Sequence, residues 1–89
     1  MKELNTDKIA LIVGTFVGLI HFVWVMMIAS GYGQVWLNFI FYLHFLNNPY
    51  TVVSFDLVRA VMLVVVTFTV GYISGWVFAY IWNRLHKDK

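Results

Sequence analysis

Between Ile9 and Phe55 the chain carries no Asp, Glu, Lys or Arg, and between Ala60 and Asn83 it carries none again. A helix needs about 20 apolar residues to cross the hydrocarbon core of a bilayer. Both charge-free stretches are long enough. A soluble domain of 89 residues would need polar side chains to cover the surface it leaves exposed, yet 62% of this chain is hydrophobic and 11% charged. The sequence predicts an all-α membrane protein with two spans, in one domain over residues 1–89.

The breaks between the spans are legible. The first span is expected over about 9–29. Gly31-Tyr32-Gly33 ends it, because paired glycines make a helix end cheap. Residues 34–46 are apolar and aromatic but too short to cross. Gln34, Asn38 and Tyr42 recur every four residues, so the segment is expected to lie in the outer interface or to re-enter the bilayer. Asn47-Asn48-Pro49 signals a turn and Tyr50 to Phe55 an extended stretch. Ser54 is the expected cap of the second span, placed at about 55–85, with Asp56 in its first turn. The fold expected is an antiparallel two-helix hairpin with a short interfacial or re-entrant helix between the spans.

Lys2 and Lys8 precede the first span, and Arg84, Lys87 and Lys89 follow the second. Only Arg59 lies between. The positive-inside rule then predicts both termini in the cytoplasm and the loop outside. The stretch from Ile9 to Ala29 exceeds a signal-peptide core of about 7–15 residues, so it is read as a permanent helix.

Small residues recur every four positions on both spans. Ala10, Gly14 and Gly18 form one ridge; Thr67, Gly71, Gly75 and Ala79 form the other. Such small-xxx-small ridges let helix backbones approach closely in lipid. Ala10 with Ala79, Gly14 with Gly75 and Gly18 with Gly71 share one sum of position numbers, 89, as equal-depth pairs in a hairpin must. The ridges are expected to face each other in that register, within one chain. Association between chains is the rival use of the same pattern.

Other chemistry is sparse. His21 falls near the middle of the first span, where an ionisable residue is a functional candidate by default. The expected state is a neutral imidazole hydrogen-bonded across the hairpin to Thr67 or Thr69. A proton path, or ligation of haem or metal with or without His44, is the alternative. No cofactor or metal is predicted. Thr69-Val70-Gly71-Tyr72 matches the start of a potassium filter but sits inside an apolar run with no following span. There is no cysteine, no intramembrane carboxylate, no HExxH and no phosphate loop, so no enzyme is predicted. The net charge of +2 gives no argument for nucleic acid.

Gly14 and Gly18, Leu43-His44-Phe45 before Pro49, Gly71-Tyr72 with Gly75, and Trp82-Asn83 together resemble a loosely defined group of small bacterial two-helix membrane proteins. Members are often labelled phage-holin-like. The resemblance implies the hairpin fold and a bacterial-type inner membrane, and carries no catalytic or binding residue. Three roles are expected to compete. The first is an accessory or scaffold subunit that packs against itself or a larger membrane complex. The second is a holin-like pore former. The third is a proton- or haem-handling subunit.

Overall fold

The computed structural model describes residues 3–87. Lys2 and Lys89, which enter the orientation argument, lie outside them. Three helices follow one another: α1 over Thr6–Ala29, α2 over Gly33–Leu43 and α3 over Leu57–Leu85. The two long helices pack together as an antiparallel hairpin, and the short helix sits between them in the chain.

α1 begins earlier than the apolar pattern suggests, because Asn5 caps it. The Asn5 side chain accepts from the Lys8 backbone N–H at 3.1 Å, and Asp7 adds a favourable charge in the first turn. α3 begins later than expected, and its cap is Asp56 rather than Ser54. One Asp56 oxygen, Oδ1, accepts from Val58 N at 2.9 Å and Arg59 N at 3.2 Å. A carboxylate reaching two free amides outcompetes the hydroxyl two residues earlier.

α1 and α2 end in the same motif with different residues. After α1, Gly31 takes φ 90°, its N–H donates to Ile28 O, and Tyr32 N–H donates to Met27 O. After α2, Phe45 takes φ 62°, its N–H donates to Tyr42 O, and Leu46 N–H donates to Phe41 O. Both are Schellman closures, which ask for a left-handed residue at the turn. Glycine meets that demand without cost; phenylalanine does not. Gly33 then lets α2 start hard against α1, since a Cβ there would lie 2.9 Å from Ile28 Cγ1.

The Cα envelope measures 53 × 33 × 15 Å. α3 alone supplies about 43 Å of the longest dimension, and two packed helix axes lie about 8–10 Å apart. The 33 Å width therefore belongs to α2 and the segment that returns from it, which project to one side.

Candidate functional site

Six of the seven small residues of the two ridges are buried, and they make up most of the buried part of the molecule. Ala10 and Ala79 are fully buried, and Gly14, Gly18, Gly71 and Gly75 are buried with them. Thr67 is half-buried. The approach is backbone to backbone. A Cβ built on Gly14 would lie 2.9 Å from Phe68 O and 3.1 Å from Tyr72 N. One on Gly75 would lie 3.0 Å from Ala10 Cα, and one on Gly71 would lie 3.0 Å from Gly14 Cα.

Those distances correct the expected register. Gly14 faces Gly71, not Gly75, and Ala10 faces Gly75, not Ala79. The hairpin is displaced by one step of the ridge. A ridge that repeats every four residues accepts either register; the contact of Asn83 with Leu4 selects this one. At the inner end of the ridge Gly18 meets Phe68, whose Cβ would lie 3.3 Å from a Cβ built on it.

An unforeseen amide fixes the seam at the terminal end. Asn83 Nδ2 donates to Leu4 O at 2.9 Å, and Leu4 N–H donates to Asn83 Oδ1 at 2.8 Å. A single side chain thus satisfies both backbone groups of a residue 79 positions away. Around it stand two aromatic columns on α3. Trp76 stacks on Tyr80 at 5.7 Å with Arg84 beyond, and Trp82 stacks on His86 at 4.0 Å. Two chemistries therefore meet at this end: aromatic faces and cationic tips.

The polar stripe of α2 faces the chain's own return segment. Gln34 Oε1 accepts from Val52 N–H at 2.6 Å, and Gln34 Nε2 donates to Tyr50 O at 3.2 Å and to Asn38 Oδ1 at 3.0 Å. Asn48 Nδ2 donates to Asn38 Oδ1 at 2.7 Å, and Asn48 Oδ1 accepts from Tyr50 N–H at 2.8 Å. Phe41 and Tyr50 pack their rings 6.0 Å apart over this network. The stripe supplies partners to backbone that would otherwise lack them. Tyr42, its third expected member, stays exposed.

Each of the three histidines bonds to a backbone carbonyl four residues earlier. His21 was expected to bond to Thr67 or Thr69 across the hairpin; instead its Nδ1 bonds to Val17 O on its own helix at 2.9 Å. Both threonines likewise turn back on their own helix. Thr67 donates to Leu63 O at 2.8 Å and Thr69 to Val65 O at 2.9 Å. Such back-bonding uses the hydroxyl proton locally and leaves only the oxygen lone pairs for a neighbour. His44 and His86 make the same bond, to Ile40 O and Trp82 O. A bond repeated at all three histidines is a helix habit, not an orienting contact peculiar to His21. His21 lines an open wedge of about 610 Å³ with Trp24, Trp36, Leu37 and Ile40. His44 lies outside that wedge, exposed at the end of α2. Among the described residues no cluster of metal-ligating side chains occurs.

No family model, curated protein or solved structure matches the chain. Geometry alone supports any functional reading.

Proposed function

We propose that the chain is a small integral membrane protein, a hairpin with both termini on the cytoplasmic side, that works by packing. It serves as an accessory or scaffold unit against a larger membrane protein or against further copies of itself. One observation carries this reading. Only 17% of the most apolar stretch of α1 is buried, and 11% of that of α3. The core helix of a soluble protein would be mostly buried. Here the buried share is the glycine seam, and Leu11, Phe16, Leu19, Val66, Val70 and Ile73 point outward. Exposed apolar surface on this scale suits lipid or a partner helix, not water.

The distribution of Lys and Arg supports the orientation. The aromatic columns at Trp76–Tyr80–Arg84 and Phe78–Trp82–His86 suit a headgroup boundary at the terminal end. The holin-like role has less support. A water-filled pore needs a polar wall, and the hydroxyls of Thr67 and Thr69 are occupied by their own helix.

The chain has no cysteine, so single cysteines can be placed at will. In intact spheroplasts, a cysteine in place of Asn47 should react with an impermeant maleimide, and one in place of Glu3 only after lysis. The reverse pattern would overturn the orientation. Release of the chain by alkaline carbonate would overturn the membrane reading. Native mass spectrometry of gently extracted protein should show copies of itself or a stoichiometric foreign subunit. A lone monomer would count against the packing role.

A further inference from the structure

Four segments meet at the end of the hairpin opposite the termini. There α1, α2, the return segment and the first turns of α3 enclose a cleft of about 350 Å³. Its walls are apolar, with Trp24, Ile28, Leu37, Val53 and Leu63 among them. Its two charged lining residues are Asp56 and Arg59, both exposed.

Asp56 is the N-cap of α3 and Arg59 follows three residues on, in its first turn, a spacing at which opposite charges can pair. Asp56 instead gives Oδ1 to the backbone N–H groups of Val58 and Arg59. Its Oδ2 has no hydrogen-bond partner among the described residues, and neither has the Arg59 guanidinium. Arg59 also stands in the first turn of α3, where the positive end of the helix dipole disfavours a cation. An anion beside it would relieve that placement.

We propose that this cleft binds one phospholipid with a zwitterionic primary-ammonium headgroup, of the phosphoethanolamine class. The inference rests on the membrane reading above. The phosphodiester accepts hydrogen bonds from the planar Arg59 guanidinium, whose fork of donors fits phosphate oxygens. The ammonium donates to Asp56 Oδ2. The first part of an acyl chain lies against Trp24, Leu37 and Leu63. A cleft of this size is at the small end of the range for ligand sites, about 300–1,000 Å³, and takes a headgroup and the start of a chain, not a whole lipid. The opposed charges choose the headgroup. A phosphoglycerol headgroup brings no cation for Asp56. A phosphocholine headgroup brings a methylated cation that cannot donate a hydrogen bond.

The test is native mass spectrometry of the full chain in mild detergent, titrated in turn with phosphatidylethanolamine, phosphatidylcholine and phosphatidylglycerol of the same acyl composition. Phosphatidylethanolamine should be retained as a single adduct, about tenfold tighter than either competitor, the equivalent of one charge-assisted hydrogen bond. Asp56→Asn keeps a good helix cap, so the protein stays folded; it should lose the preference over phosphatidylglycerol. Arg59→Gln should weaken all three lipids. Equal retention of the three by the natural chain would overturn the proposal, as would an unchanged preference in Asp56→Asn. A dimer that forms in place of the lipid adduct would overturn it in favour of a second copy as occupant. Carbonate extraction of the membranes, carried out before the detergent is added, separates the two levels. A chain that resists carbonate but does not discriminate headgroups loses only the lipid site. A chain that carbonate releases loses the membrane reading as well.

Discussion

Along the seam between α1 and α3, glycine backbone packs against backbone and against Val13, Val17 and Phe68, and the Asn83 amide crosses it only at the terminal end, to Leu4 just before α1. At the capped end, α2 and the return segment are joined almost entirely by side-chain amides, from Gln34, Asn38 and Asn48. The two regions fail in different ways. The seam depends on the absence of atoms: its glycines leave no room for a Cβ, and the contact energy comes from many close carbon neighbours. The capped end depends on the presence of a few atoms with fixed directions. A seam of the first kind tolerates no added bulk but is indifferent to polarity. A junction of the second kind tolerates bulk at its exposed edge but loses backbone partners when one amide goes.

The sharpest way to break this contrast is Gly14→Leu. The new side chain meets Phe68 O and Tyr72 N, neither of which can move without moving α3. The expected cost is about 3 kcal/mol or more, at the upper end for overpacked sites. Equilibrium unfolding of the reconstituted protein measures it; stability within error of the natural chain would mean that the helices do not meet there. Gln34→Leu attacks the other region. It strips partners from Val52 N–H and Tyr50 O at an expected cost of about 1–2 kcal/mol. That cost should appear as faster amide exchange in 48–52 while α1 and α3 keep their protection. Protection lost along α3 as well would show that the two regions are one cooperative unit.

Phe45→Gly probes the capped end with the opposite sign. Glycine suits the left-handed turn better, and the Phe45 side chain is 97% exposed, so it contributes little packing. The variant should be more stable by about 1 kcal/mol. Lower stability would show that the ring has a contact in the assembled protein that the isolated chain lacks. His21→Leu should have the smallest effect, within about 0.5 kcal/mol. Its ring bonds only to a carbonyl of its own helix, beside a wedge that already has apolar walls. A loss of several kcal/mol would contradict that environment.

The same contrast governs how much could be read from the sequence. The two long helices, the break at Gly31-Tyr32-Gly33 and the small-residue ridges announce themselves through local composition and a fixed period, and the structure has the helices there. The period of four in Gln34, Asn38 and Tyr42 was equally legible. Its meaning was not, because the partners are the backbone of Tyr50 and Val52, sixteen and eighteen residues on from Gln34. Asn83 looks like a surface residue beside a basic tail until Leu4 is placed next to it. Ser54 and Asp56 both satisfy the rule for a helix cap; only the local backbone chooses between them. Depth arithmetic sets His21 beside Thr67 and Thr69 but carries no rotamer, and the ring bonds to a carbonyl of its own helix.

A ruler whose marks are all alike measures spacing well and position not at all. The two ridges are such a ruler. Slide one helix past the other by four residues, about 6 Å, and most small residues again find small residues opposite. The seam therefore sets how close the helices come, while its absolute alignment must be written elsewhere. Asn83 supplies the zero mark. Its amide meets the N–H and the C=O of one residue, Leu4, and a slide of four residues would break both bonds. Closeness and alignment are encoded by different residues, so each can be changed by mutation while the other is kept.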